Sequence, residues 1–127
     1  MNLKEIRTDK APLPAGPYSQ AVKAGNLMFI SGILPIDMET KKIVEPTVDA
    51  AKKIFSHLDY ILQEAGLTRG NIVKTSIFMR DLKQFADVNK LYAEYFSDTK
   101  PFPARSTIEV SNLPMNAQIE MDFIAVI

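Results

Sequence analysis

The sequence contains no cysteine, no tryptophan and a single histidine, His57, among its 127 residues. The absence of cysteine excludes disulfides, thiol nucleophiles and thiolate metal sites. Because His57 has no second histidine to join it, we expect no metal site. A chain without cysteine also suits a reducing compartment, which favours a cytoplasmic location.

The sequence also lacks an excess of either charge. Fifteen Lys and Arg residues balance fifteen Asp and Glu residues, and no extended basic run occurs. Proteins bind nucleic acids largely through clustered Lys and Arg side chains. We therefore expect no nucleic-acid partner.

Three further kinds of segment are missing. No apolar run is long enough to cross a bilayer, and the first six residues lack the apolar stretch of a signal peptide. No glycine-rich phosphate loop occurs either. We therefore expect a cytoplasmic protein with no membrane partner and a site that works without a cofactor.

What remains is the composition of an ordinary globular domain. Apolar residues make up 46% of the chain and charged residues 24%, both typical of soluble domains. A chain of this length can bury one core, and no repeat or linker divides it. We expect residues 1–127 to form a single domain.

Apolar periodicity predicts the element order β-β-β-α-β-α-β-β. The first helix is predicted to run from an N-cap at Thr47 to a stop at Gly66, and the second from a capping box at Asp81 to a point before Pro101. The predicted strands cover residues 3–7, 18–22, 26–31, 71–80, 105–110 and 118–127. This order predicts an α+β fold, a mixed sheet with both helices on one face.

The last two predicted strands each carry an unusual charge. Arg105 opens one strand, just after residues 101–104 restrict the backbone, and Glu120 interrupts an otherwise apolar strand. Because side chains alternate between the faces of a strand, Glu120 shares its face with Ile124 and Val126. A face that is polar at one end only is typical of a pocket at the edge of a packed sheet.

The apolar end of that face needs a cover. Two helices can cover only one face of the sheet, and the sequence predicts no third helix. Self-association would bury Ile124 and Val126. We therefore expect an oligomer.

Several segments resemble the Rid family, the reactive intermediate deaminases, and its RidA subgroup in particular. They follow the order and spacing of that family and span nearly the whole chain. The matching segments are Ala15-Gly16-Pro17-Tyr18-Ser19-Gln20-Ala21, Phe29-Ile30-Ser31-Gly32, Val73-Lys74-Thr75, Val88-Asn89-Lys90-Leu91-Tyr92, Pro103-Ala104-Arg105-Ser106 and Ile119-Glu120-Met121.

The resemblance implies both a fold and an activity. The implied fold is chorismate-mutase-like, and the implied assembly is a homotrimer with an inner barrel of sheets and pockets between subunits. The implied activity is hydrolysis of reactive enamines and imines to 2-keto acids and ammonia. The chief substrate would be 2-aminoacrylate made by pyridoxal phosphate-dependent dehydratases, so the expected ligand is a small 2-imino or 2-keto acid.

The chain departs from the family pattern at two places. Thr107 stands where family members commonly have cysteine; the resemblance implies a role for the backbone there, so this change matters little. Ile33-Leu34 stands where a pair such as Gln-Ile is common, which can change the polarity of the pocket and the range of substrates.

Arg105 and Glu120 are the predicted catalytic pair. A guanidinium binds two carboxylate oxygens at once, so Arg105 would anchor the carboxylate that 2-imino acids share. Glu120 would orient water or protonate the departing amine, helped by the backbone carbonyl near Thr107. The alternatives are a structural ion pair of Arg105 with Glu109 or Glu120, and a Glu120 that reaches solvent.

Four further residues are predicted to bind or shape the substrate pocket. Tyr18 follows Gly16-Pro17 and would stand at a strand entrance, while Ser31 and Gly32 would end a strand where glycine permits close backbone approach. Asn89 is predicted on the buried stripe of the second helix, where an amide needs partners. Each of these also has a purely structural interpretation, in the core or in a loop.

Two other functions remain open from the sequence. A ligand-sensing module would bind a keto acid in the same pocket without turnover. An endoribonuclease activity, also associated with relatives of this family, is disfavoured by the zero net charge and the lack of a basic-aromatic patch.

Overall fold

The computed structural model describes residues 2–127, which form six strands and two α-helices. The strands are β1 (Leu3–Ile6), β2 (Ala21–Ala24), β3 (Leu27–Ile33), β4 (Ile72–Met79), β5 (Ala104–Glu109) and β6 (Ile119–Val126), and the helices are α1 (Thr47–Glu64) and α2 (Phe85–Tyr95). The predicted element order and the α+β class are confirmed. No helix in this part of the chain is both long and apolar enough to cross a membrane.

The six strands form one sheet in the order β1-β2-β3-β6-β4-β5. Strands β4 and β5 are parallel, and all other neighbours are antiparallel. The C-terminal strand β6 thus lies between β3 and β4, near the middle of the sheet. Strand β5 lies at one edge, so its outer side has no neighbour among residues 2–127.

Both helices pack on one face of the sheet. Helix α1 contacts β3, β6 and α2, and Tyr92 of α2 donates a hydrogen bond of 3.1 Å to Thr75 of β4. Every second residue of β6 is buried beneath the helices: Ile119, Met121, Phe123 and Ala125. Burying a large apolar side chain contributes about 1.5–3 kcal/mol, so this strand is a main source of the fold's stability.

The first helix begins at its predicted cap, one residue earlier than expected. Pro46 occupies the N-cap position with extended backbone angles, and Thr47 is the first helical residue. The prediction of Thr47 as N-cap is therefore wrong: its side chain is buried and makes no capping hydrogen bond. The second helix keeps part of its predicted signal, because Asp81 accepts a hydrogen bond from the Lys83 N–H. That bond caps a short 3₁₀ turn before α2 begins at Phe85.

Two strand boundaries near the predicted site also differ. The segment from Tyr18 to Gln20 is a loop rather than a strand, because the Tyr18 N–H bonds to the Gly16 carbonyl in a tight turn. Strand β3 continues to Ile33 instead of ending at Ser31-Gly32. Its pairing with β6 is irregular between Ile30 and Ile33, which places Gly32 outside the regular ladder.

The other face of the sheet has no helix against it among residues 2–127. Phe29 is 45% exposed and Ile108 is 48% exposed on this face. The register places Phe29 beside Ile124, and Val126 follows Ile124 on the same face. We call these four residues the open-face apolar group.

Candidate active site

A cavity of about 540 Å³ opens beside Glu120. It brings together Tyr18, Ser31, Gly32 and Glu120, four of the seven predicted site residues. The cavity is lined by Pro12, Leu13, Pro14, Ala15, Tyr18, Gln20, Ser31, Gly32, Ile33, Leu34, Ile36, Ile61, Pro114, Met115 and Glu120. The Ile33-Leu34 pair that departs from the family pattern is therefore part of its wall.

Gly32 leaves the space that the Glu120 carboxyl group occupies. A Cβ atom at position 32 would lie 2.6 Å from Glu120 Oε2 and 2.9 Å from its Cδ, closer than non-bonded atoms approach. The irregular pairing of β3 with β6 brings the two residues together. Glycine is needed here because of this close approach.

Ser31 ties the loop that carries Tyr18 to strand β3. Its hydroxyl donates a hydrogen bond of 2.6 Å to the Ser19 carbonyl, and its backbone N–H donates to the Gln20 carbonyl at 3.1 Å. Tyr18 itself is 53% exposed, and its hydroxyl accepts a weak bond from the Ala15 N–H at 3.4 Å. The ring of Tyr18 is thus placed at the mouth of the cavity.

The environment of Glu120 favours its neutral form. Partial burial, and to a smaller extent the charge of Asp122, raise the pKa of Glu120 above its ordinary value. A raised pKa makes a carboxylate a stronger base and so better suited to accept and return a proton.

Arg105 lies in a second group of residues, at the β5 edge beneath α2. Its Nη1 donates a hydrogen bond of 2.8 Å to Asn89 Oδ1. Its guanidinium carbon lies 4.7 Å from the centre of the Tyr92 ring and 5.2 Å from that of Phe85. These contacts hold the guanidinium in one orientation, while the residue remains exposed. The ion pair found among residues 2–127 is Arg69 with Asp59, so Arg105 is not paired with Glu109 or Glu120.

Asn89 is not on the buried stripe of α2, and that prediction is wrong. Val88 and Tyr92 face the sheet, which turns the next side chain, Asn89, outward towards the β5 edge. Its amide partner is Arg105.

Thr107 follows Arg105 on the same face of β5. Its position beside Ile77, a core residue, places it between the strand and the helices. Its hydroxyl oxygen is buried and has no hydrogen-bond partner among the residues described.

The two groups lie on opposite faces of the sheet. Thr75 pairs with both Arg105 and Phe123, which places Arg105 on the helix-covered face. Glu120 pairs with Phe78. Phe78 is three positions from Thr75 on β4 and so points to the opposite face, which places Glu120 on the open face. The structure therefore does not bring Arg105 and Glu120 together within one chain.

His57 contacts the wall of the cavity from the protein core. It is buried in the core, and its Nε2 lies 2.8 Å from the Ile36 carbonyl oxygen. Because a carbonyl only accepts, Nε2 carries the hydrogen. Burial lowers the pKa of His57 below its ordinary value, which disfavours the charged ring. His57 thus fixes Ile36, a residue of the cavity wall.

Sequence reasoning missed Ile36, Ile61 and Met115, which line the same cavity. They come from a loop, a helix and a turn that are far apart in the chain, so no local spacing could have joined them. No three metal-ligating side chains come together in residues 2–127.

Comparison with known proteins decides the family. The family model described as Endoribonuclease L-PSP matches residues 8–127. The chain belongs to the Rid family. A RutC family protein of Aquifex aeolicus is 48% identical over 98% of this chain and 99% of its own length. Reactive Intermediate Deaminase A, chloroplastic, of Arabidopsis thaliana is 46% identical over 94% of this chain and 64% of its own length.

A solved RidA structure confirms the Rid fold: RidA of Psychrobacter sp. PAMC 21119 superposes with a TM-score of 0.92 and 36% identity, covering 98% of this chain and 99% of its own. TdcF of E. coli, determined with bound serine, superposes with a TM-score of 0.92 and 35% identity, covering 98% of both chains. The predicted resemblance to the RidA subgroup of the Rid family, and the predicted fold, are thereby confirmed.

Proposed function

We propose that this Rid protein hydrolyses 2-imino acids, including the imine form of 2-aminoacrylate, to 2-keto acids and ammonia. The observation that carries the proposal is the pair of prepared groups, an oriented guanidinium at Arg105 and a partly buried carboxyl group at Glu120. The name of the plant relative and the serine bound to TdcF support an amino-acid-like substrate.

Arg105 recognises the carboxylate that all 2-imino acids carry. Asn89 holds one guanidinium nitrogen, which leaves the remaining donors free for a two-point contact with a carboxylate. The Tyr92 and Phe85 rings lie within cation–π distance of the guanidinium and favour this position. One arginine thus recognises the substrate class without selecting a side chain.

Glu120 acts as the general base that activates water and as the general acid that protonates the nitrogen. As a carboxylate it accepts a proton from water as the oxygen attacks the imine carbon, giving a carbinolamine. It returns that proton to the nitrogen to complete the carbinolamine, and then passes the hydroxyl proton to the nitrogen as the C–N bond breaks, so that ammonia leaves and the carbonyl forms. No oxidant or cofactor enters this balance, and positioning with proton transfer provides the acceleration.

Two copies of the chain are needed to complete this site. Arg105 lies on the edge strand and Glu120 on the open face, so we propose that Arg105 of one subunit faces Glu120 of another. Phe29 and Ile108 of the open-face apolar group are exposed in one chain, and Ile124 and Val126 are partly exposed; the same association would bury all four. The assembly we propose is a homotrimer.

We also propose a cytoplasmic location, on the sequence features given above. The plant relative is named as chloroplastic, so relatives differ in compartment. An endoribonuclease activity, named in the family model, is disfavoured by the zero net charge.

The direct test of the function generates 2-aminoacrylate in place with a serine dehydratase and follows pyruvate with and without this protein. Faster pyruvate release is expected in its presence. If a folded protein gives no acceleration but binds pyruvate in a calorimetric titration, a ligand-sensing module replaces the deaminase.

Gly32→Ala is expected to lower the rate of imine hydrolysis about tenfold to a hundredfold while the protein stays folded. The new methyl group displaces the Glu120 carboxyl, and a misplacement of about 1 Å at a catalytic group can cost about a hundredfold. Initial rates and melting temperature would be measured together. Gly70→Ala is the matched control, because its Cβ would meet its nearest neighbour at an ordinary 3.6 Å. Equal rates for the two variants would contradict the role of Gly32.

A further inference from the structure

The cavity beside Glu120 is larger than the imines of alanine or serine require. Its volume of about 540 Å³ falls within the range of roughly 300–1,000 Å³ found for pockets that hold drug-sized ligands. A three-carbon imino acid bound at Glu120 would leave most of this space empty. The space that the second subunit of the proposed site does not fill is available to a longer substrate side chain.

The lining of the cavity is suited to an apolar occupant. Among its polar side chains, the Gln20 amide is already hydrogen-bonded to the backbone of Thr8 and Pro12. The Ser31 hydroxyl is already hydrogen-bonded to the Ser19 carbonyl. Tyr18 lies at the mouth of the cavity and Glu120 lies in its wall. The rest of the lining side chains are apolar: Pro12, Leu13, Pro14, Ala15, Ile33, Leu34, Ile36, Ile61, Pro114 and Met115.

We infer that this cavity is a side-chain subsite and that it selects 2-imino acids with long apolar side chains, such as branched aliphatic ones, over those with a methyl group. The inference rests on the proposed function and names its preferred substrates. Apolar contact with Ile33, Leu34 and Met115 would provide the selection, because each buried CH₂ group strengthens binding about fourfold.

Met115 is the wall residue most specialised for this role. It has a φ of 57° and is followed by Asn116 with a φ of 60°, a left-handed conformation that is unfavourable for most residues other than glycine. Arg80 locks the turn by donating to Asn116 Oδ1 at 2.8 Å. Strained residues of this kind concentrate at ligand sites.

The position of Met115 lets it adjust the size of the subsite. Its side chain is 54% exposed and also lines a neighbouring cavity of about 410 Å³. A methionine side chain is flexible and fills irregular space. Met115 therefore separates two cavities and can yield to a longer substrate.

The test compares hydrolysis of two imines made in place by an amino acid oxidase, 2-imino-4-methylpentanoate from leucine and 2-iminopropanoate from alanine. We expect the specificity constant, kcat/KM, to favour the longer imine by at least about tenfold. Met115→Asn is expected to lower that ratio about tenfold. It should not lower the melting temperature, because asparagine tolerates the left-handed conformation.

Met38→Asn is the matched control, because Met38 lines only the neighbouring cavity; it should keep the wild-type ratio. Hydrolysis of both imines with a ratio near one, or a ratio favouring the shorter, would overturn the subsite and leave the deaminase intact. Hydrolysis of neither would overturn the proposed function. In that case, equal affinities for 4-methyl-2-oxopentanoate and pyruvate by calorimetry would overturn the subsite as well, and tighter binding of the longer keto acid would uphold it.

Discussion

Arg105→Ala is expected to lower kcat/KM for imine hydrolysis about a hundredfold or more. The variant loses two charge-assisted hydrogen bonds to the substrate carboxylate, each of which contributes about 1.5–3 kcal/mol. The affinity for a stable keto acid should fall in parallel, because the same carboxylate is recognised in the product. Rates and calorimetric titrations with pyruvate would measure the two effects.

Arg105→Lys distinguishes an anchor from a merely structural residue. Lysine keeps the charge but not the planar fork, so this variant should recover part of the activity and part of the keto acid affinity. Arg105 is exposed and its described polar partner is Asn89, so neither variant should unfold. Full activity of a folded Arg105→Ala protein would remove Arg105 from the site.

Glu120→Gln is expected to lower the rate about 10²- to 10⁴-fold, the usual contribution of a positioned acid-base group. Glutamine keeps the size of the side chain but cannot exchange the proton. The wild-type rate should fall as the pH is lowered through the pKa of Glu120, since the carboxylate must be ionised to accept the proton. That limb should lie above about pH 4.3, the ordinary value for glutamate, because burial raises the pKa.

Stability gives an independent check on Glu120. A carboxyl group whose pKa is raised by folding contributes stability that is present below its unfolded pKa and is lost as the pH rises through its folded pKa. Above its folded pKa the ionised Glu120 therefore lowers the stability of the folded state, and Glu120→Gln should melt at the same temperature or higher. A variant that keeps its activity, or that loses activity together with stability, would contradict the catalytic role.

The order of elements could be predicted from the sequence because it depends on local signals. The alternation of apolar residues along β6 and the stripes on both helices are visible without knowledge of the fold. The errors lie at the ends of helices and strands, where a contact with a neighbouring residue determines the boundary. Tyr18 falls in a loop because of a bond to Gly16, and Thr47 loses its capping role because Pro46 precedes it at the N-cap.

The arrangement of the site could be predicted only in part, because it depends on pairing between distant strands. The alternation of side chains correctly placed Glu120 with Ile124 on one face of β6. It could not show which residues of β5 lie on that same face of the sheet. That depends on the register of β4 with both neighbours. Met115 gave no signal, since the turn that exposes it is set by Arg80, which precedes it by 35 positions in the chain.

The central claim is that Arg105 and Glu120 act together only across a subunit boundary. It is tested most directly by co-expressing Arg105→Ala and Glu120→Gln chains with two different affinity tags and purifying oligomers that contain both. In a mixed trimer of either composition, one interface in three carries an intact pair, so about one third of the wild-type activity should return. A mixed dimer would return about one half. No recovery in confirmed mixed oligomers would contradict the shared site.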